Sequence, residues 1–207
     1  ATMKQQGAVI VDPADIEMLK EMRDGESDLL PYELKAGLNA YLAALGPEAP
    51  VRSLKEIIEF NEKHAREEMP YFGQDTFIKA QAKGPLSDSA YQKALEKCRT
   101  SSREKGIDAT MERYKLDALV APTSAPAFTT DLVDGDHDTG GSSSPAAIAG
   151  YPHVTVPAGY AFGLPVGISF FGRAWSEPTL IKLAYAFEQT TKFRQPPKFL
   201  PTANLSA

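Results

Sequence analysis

The sequence predicts an α/β protein, with helices flanking a small mixed β-sheet. Two observations carry this. Apolar residues recur at spacings of three and four through parts of the first 114 residues, as on helices with one buried face. Four short runs, at 8–11, 116–121, 154–156 and 166–171, are rich in apolar residues, as buried strands are.

Composition bounds the rest. With 207 residues, 43% hydrophobic and 24% charged, the chain has a globular profile rather than a disordered or membrane one. That length allows one domain, or two small ones. Lys and Arg are scattered and the net charge is -5, which argues against a nucleic-acid partner. No stretch approaches the ~20 apolar residues that span a bilayer, so no membrane partner is expected. The single cysteine, Cys98, excludes an internal disulfide and argues against a Cys-based zinc site.

Residues 8–11 (Ala8, Val9, Ile10, Val11) predict a short buried strand, ended at Asp12-Pro13. Leu30, Leu34, Leu38, Tyr41, Leu42 and Leu45 predict one face of a helix over 29–45, stopped by Gly46-Pro47. Ser53-Leu54-Lys55-Glu56 has the form of a capping box. The Ser53 hydroxyl accepts from the Glu56 amide while the Glu56 carboxylate reaches back. The helix it opens runs to about Glu68. After breaks at 69–74 and Gly84-Pro85, a long helix is predicted over 88–114. Tyr91, Leu95, Cys98, Ile107 and Met111 are among its apolar positions, and Gly106 is a candidate break.

The character changes at residue 116. A strand at 116–121 ends at Pro122-Thr123, and a loop rich in Ser, Thr, Gly and Asp fills 124–145. Loops of that length are usually functional or disordered. A short helix at 146–149 follows, then a hairpin built from 154–156 and 166–171. Ser176 is the expected cap of a last helix whose inner face is Leu180, Leu183, Ala184 and Phe187. Four strands make a small sheet for so many helices, and residues 8–11 have no strand neighbour nearby. The expectation is that the chain starts inside a domain whose other strands precede residue 1.

Three segments carry a resemblance. They are Leu116-Asp117-Ala118-Leu119-Val120-Ala121-Pro122-Thr123, the run from Ser144-Pro145-Ala146-Ala147 to Val156-Pro157-Ala158-Gly159, and Gly163-Leu164-Pro165-Val166-Gly167-Ile168-Ser169-Phe170-Phe171-Gly172. They resemble, in order, the strand leading into the substrate pocket, the small-residue turn and strand, and the closing hairpin of the amidase-signature family. Tyr32-Glu33-Leu34-Lys35 and Phe72-Gly73-Gln74 agree more loosely. The likeness covers nearly the whole chain and is most like bacterial peptide and aryl amidases.

The resemblance implies a fold and an activity. Residues 1–207 would be the C-terminal part of a single amidase domain. The family hydrolyses carboxylic amides with a serine nucleophile, a second serine held through a cis peptide, and a lysine base, by way of an acyl-enzyme. All three lie upstream of everything matched here. The chain would therefore contribute substrate pocket and sheet closure, would be inactive alone, and would pair with the N-terminal half of the domain. The implied substrate is a small-molecule or peptide amide. No cofactor or metal is called for, and a cytoplasmic location is expected. The alternative is a binding or structural module derived from an amidase that has lost catalysis.

Gly140-Gly141-Ser142-Ser143-Ser144 imitates a nucleophile loop. It stands where the family has a pocket-edge turn, and Pro145 has no amide to offer an oxyanion. Ser142, Ser143 and Ser144 are therefore a capping turn or pocket lining, not nucleophiles. His64 is expected to be solvated and His153 to be a satisfied, partly buried imidazole. His137, among Asp134, Asp136 and Asp138, lacks the ordered spacing of a calcium loop and is read as part of a solvated acidic loop. Arg99 and Arg103 lie one turn apart. Surface pairing is the plain reading, while a resemblance to the amidotransferase A subunits makes Arg99 a candidate for a substrate carboxylate. Phe72, Phe128 and Tyr151 stand near breaks in regular structure, as core anchors or pocket lining. Cys98 is expected to be structural. The candidate substrate-binding set is thus Arg99, Phe128, Ser142, Ser143, Ser144 and Tyr151.

Overall fold

The computed structural model describes residues 1–199. The chain forms two compact units. One is Lys20–Cys98; the other combines Ala1–Leu19 with the chain from Arg99 onward. Among the described residues no helix is long and apolar enough to cross a membrane.

The Lys20–Cys98 unit is helical. Counting the short N-terminal helix Thr2–Gln5 of the other unit as α1, its elements are α2 (Leu19–Ala44), α3 (Leu54–Lys63), α4 (Ala65–Glu68), α5 (Asp75–Gln81) and the start of α6 (Ser89–Ser102). Helix α2 begins ten residues before the predicted start and runs through Pro31. Its buried stripe is Met22, Gly25, Leu29, Tyr32 and Leu42, whereas Leu30 is 51% exposed. The sequence carries two apolar series along this helix, and the neighbour decides which is covered. Gly25 lies so close to α6 that a Cβ there would sit 2.8 Å from Cys98 Sγ. The Tyr32 and Tyr91 rings meet at 5.7 Å, and Tyr91 donates to Glu33 Oε1 at 3.0 Å.

The capping box at α3 forms with one change. Ser53 Oγ accepts from the Glu56 amide at 3.2 Å, but the Glu56 carboxylate takes the amide of Arg52 (2.8 Å), one residue outside the cap. Asn39 of α2 accepts from the Leu54 amide at 2.8 Å, so the start of α3 is also tied from outside. The helix breaks at His64 rather than continuing to Glu68. The His64 ring is partly exposed, as expected, and is also stacked on Phe60 at 4.2 Å.

The other unit holds the sheet. After α6 the chain makes one π-helical turn (Arg103–Ile107), continues as α7 (Asp108–Tyr114) and enters β1 (Leu119–Pro122). Gly106 lies buried in that π turn, so the candidate break is a change of pitch rather than an end. Then come α8 (Ser144–Ala149), β2 (His153–Ala161), β3 (Leu164–Phe171) and α9 (Glu177–Thr191). The sheet order is β1-β3-β2 and both pairings are antiparallel, so within the described residues the sheet is antiparallel rather than mixed. Phe162 and Gly163 both have positive φ and make the tight hairpin turn. Ala158 is the extra residue of a bulge between Pro157 and Gly159, which carries β2 past the predicted end at 156.

Residues 8–11 are not a strand. Val9 is 90% exposed and the run pairs with no strand among the described residues; the Ala8 amide instead donates to the Met3 carbonyl at 3.0 Å. An apolar run becomes a strand only where another strand takes its amides and carbonyls. Alternation along β3 sends Phe171 to one face and Phe170 to the other. Phe171 joins Ile107, Met111, Leu119, Ala146 and Ala149. Phe170 joins Leu180 and Ala184 of α9, with Leu183 and Phe187 beside them, so the predicted inner face of the last helix holds. Ser176 is at the predicted cap position, but its hydroxyl donates back to the Arg173 carbonyl at 2.7 Å.

Candidate functional site

The end of β1 is tied down by hydroxyls. In register, Ala121 and Thr155 face Ser169 from either side, and Thr123 follows Ala121 by two residues, so these side chains share a face. Ser169 is fully buried. Its Oγ lies 2.8 Å from Thr123 Oγ1 and 3.1 Å from Thr155 Oγ1. Each hydroxyl has one proton and two lone pairs, so Ser169 either accepts from both threonines or accepts from one and donates to the other. The Thr123 backbone is committed as well. Its amide donates to the Gly167 carbonyl (3.0 Å) and its carbonyl accepts from the Ser142 amide (3.0 Å). Glycine makes both approaches possible. A Cβ at Gly167 would lie 2.6 Å from Thr123 Oγ1, and one at Gly141 would lie 2.5 Å from the Thr123 carbonyl oxygen.

Ser124 and Gly141 form an isolated antiparallel bridge, so residues 125–140 leave and return through one neck. Acidic side chains in this loop bind its own amides. Asp131 Oδ1 accepts from Val133 and Asp134, and Asp138 Oδ1 accepts from Gly140. The two amides hold the Asp131 carboxyl below the usual aspartate range. His137 and Phe128 are exposed on the loop, Phe128 at 45%.

The three candidate serines sit where the loop returns. Ser142 Oγ is buried and has no hydrogen-bond partner among the described residues. Ser143 occupies the cap position of α8 without a side-chain cap bond, and Ser144 begins the helix. Tyr151 lies past the far end of α8, about 9 Å of helix away from Ser144. Its hydroxyl donates to Asp108 Oδ2 at 2.8 Å, and the Arg103 guanidinium stands 5.8 Å from its ring centroid. Arg103 Nε also donates to the Ala149 carbonyl at 2.7 Å. Burial, and then the Asp108 bond, push the Tyr151 phenol above the ordinary tyrosine range. Beside it lies a groove of about 560 Å³ lined by Glu104, Asp108, Glu112, Tyr151 and Arg173. Arg173 donates to Glu112 Oε2 at 3.1 Å, and Lys115 first, then Arg173, holds the Glu112 carboxyl low.

A second, mostly apolar groove of about 360 Å³ crosses the strand ends at Val120, Pro122, Ser124, Ala158, Val166 and Ile168. Arg99 is exposed on α6 and lines neither groove; it is Arg103, one turn on, that reaches α8. Phe72 is exposed in the other unit. His153 is partly buried as expected, stacked on Phe171 at 5.6 Å, but its Nε2 has no partner among the described residues. Burial lowers its pKa. The structure thus gathers Ser142, Ser143 and Ser144 beside Thr123. It sets Tyr151 in a separate polar groove and leaves Arg99 and Phe128 at the surface. The Thr123–Ser169–Thr155 cluster was not found from sequence, because only the strand register brings the three together.

The chain belongs to the amidase family, whose model matches residues 1–181. It is 40% identical over 205 residues to a probable amidase of Arabidopsis thaliana, covering 96% of this chain and 36% of that protein. The crystal structure of the native peptide amidase of Stenotrophomonas maltophilia superposes with a TM-score of 0.86 at 44% identity, over 95% of this chain and 39% of that one. An amidase family protein of Bacillus anthracis gives a TM-score of 0.74 at 28% identity, over 95% and 35%. The chain therefore spans little more than a third of the length of these relatives.

Proposed function

We propose that this chain is the C-terminal part of a single amidase domain that hydrolyses carboxylic amides, with a serine, a cis-linked second serine and a lysine supplied by polypeptide upstream of it. The upstream lysine takes the proton of the nucleophilic serine, the serine oxygen attacks the amide carbon, and the C–N bond breaks as that proton passes to the departing amine, leaving an acyl-enzyme that water then hydrolyses. The present residues supply the closing strands of the sheet and a pocket wall made of the Ser142–Ser144 turn, with Phe128 and Tyr151 on neighbouring segments. Arg99 stands as the candidate for a substrate carboxylate. The enzyme works in the cytoplasm.

The observation that carries this reading is the superposition on a peptide amidase over 95% of this chain but 39% of that one. The state of Ser142 supports it, since its Oγ is buried and has no hydrogen-bond partner among the described residues to take its proton. Because that relative is a peptide amidase, the substrate proposed for the test is a peptide amide, a peptide C-terminal amide in the first instance. The test is ammonia release from such an amide by the 207-residue chain alone and by the same chain joined to its upstream polypeptide. Turnover is expected only from the joined protein. Turnover by the chain alone, abolished by substituting one of its own serines, would sink the proposal.

A further inference from the structure

We infer that Thr123 is a positioning residue for the substrate pocket: its hydroxyl, locked to Ser169, holds the Ser142–Ser144 turn in place. This rests on the proposal that the turn lines an amide pocket, and it deepens that proposal by naming what fixes the wall. Thr123 is bonded in three directions at this strand end. Its hydroxyl reaches Ser169 at 2.8 Å, its amide reaches Gly167 at 3.0 Å, and its carbonyl takes the Ser142 amide at 3.0 Å. Ser169 is fully buried on the central strand, so it is a fixed anchor, and its second bond to Thr155 holds its own rotamer.

The bond from Thr123 to Ser142 lies at the neck of a long loop. Residues 125–140 hold no helix or strand, so the loop side of the turn is tied to the strand through the Ser124–Gly141 bridge, of which the Thr123–Ser142 bond is part, while α8, packed in the core through Ala146 and Ala149, holds its other side. Removing the Thr123 hydroxyl frees the side chain to rotate and lets the strand end fray, and the Ser142 amide follows. Crowding gives a second route to the same residue. A Cβ at Gly167 would come within 2.6 Å of Thr123 Oγ1 and 3.0 Å of Thr155 Cγ2, so Gly167→Ala presses on the hydroxyl cluster from below.

The experiment has two readouts. Amide hydrogen exchange of Ser142 is followed in the protein joined to its upstream polypeptide, for wild type, Thr123→Val, Thr123→Ser and Ser169→Ala. Thr123→Val and Ser169→Ala are expected to speed that exchange about tenfold, with Thr123→Ser close to wild type. Kinetics on a peptide C-terminal amide are expected to show KM raised about tenfold by Thr123→Val with kcat nearly unchanged, and restored by Thr123→Ser. Unchanged exchange at Ser142 in folded Thr123→Val and Ser169→Ala overturns the inference. So does a fall in kcat at constant KM. Should Thr123→Val not fold, Ser169→Ala decides by the same measurement. If no variant, wild type included, turns over an amide, the functional proposal fails, while the exchange data still judge the role of Thr123.

Discussion

At the scale of single residues, buried polar atoms carry the consequences. His153 sits on Phe171 with its Nε2 buried and no partner among the described residues, and burial lowers its pKa. A depressed histidine favours the neutral ring in the folded state. Its contribution to stability is therefore complete above the unfolded value of about 6.5 and is lost as pH falls through the folded value. Thermal melts between pH 7.5 and 5 should show a steeper loss of Tm for wild type than for His153→Phe. Equal slopes would remove His153 from that balance. Tyr151 behaves in the opposite sense. Its raised pKa stabilises the fold below about pH 10 and ceases to do so as pH climbs through the folded value. The candidate serines were legible as a turn because Gly-Gly and Pro145 flank them. The partner of that turn, Thr123, was not, since nothing local to either segment points to the other.

At the scale of elements, helix packing and caps decide more than propensity. Alanine is a better helix former than glycine by about 1 kcal/mol, so an exposed Gly→Ala change in α2 would stabilise it. At Gly25 the added methyl would lie 2.8 Å from Cys98 Sγ, in a buried contact with little room to shift. Overpacking of this kind costs about 1–3 kcal/mol. Gly25→Ala is therefore expected to be destabilising in urea unfolding, and to become neutral or stabilising once combined with Cys98→Ala. A stabilising effect of Gly25→Ala alone would show that the two helices separate freely. The capping box at α3 was predicted from four residues because its bonds are local. Ser53→Ala should cost about 1 kcal/mol. The start of α2 was missed because Met22, Gly25 and Leu29 are three contacts in a polar stretch, and helix α6 is needed to mark them as a face.

At the scale of the whole molecule, the chain spans about a third of the length of relatives that it otherwise matches from end to end. Residues 8–11 have the composition of a buried strand and stand exposed, and Val120 on the outer strand of the sheet is 40% exposed. On the proposed reading these surfaces are covered when the domain is complete. The chain alone should then bind a hydrophobic dye such as ANS, and the protein joined to its upstream polypeptide should bind markedly less per molecule. Equal binding by both would leave these residues as ordinary exposed apolar surface.

The sequence by itself determined what depends on neighbours a few residues apart. It placed the capping box, the closing hairpin, the inner face of α9 and the family likeness of the last third, because hydrogen bonds at i+3 and side-chain alternation are written within single segments. Only the tertiary structure decided which face of α2 is buried, that residues 8–11 pair with no strand among those described, and that Thr123, Ser169 and Thr155 meet. Each of these depends on the register or approach of segments tens of residues apart. A one-residue slip between β1 and β3 would turn the same hydroxyls to the opposite face.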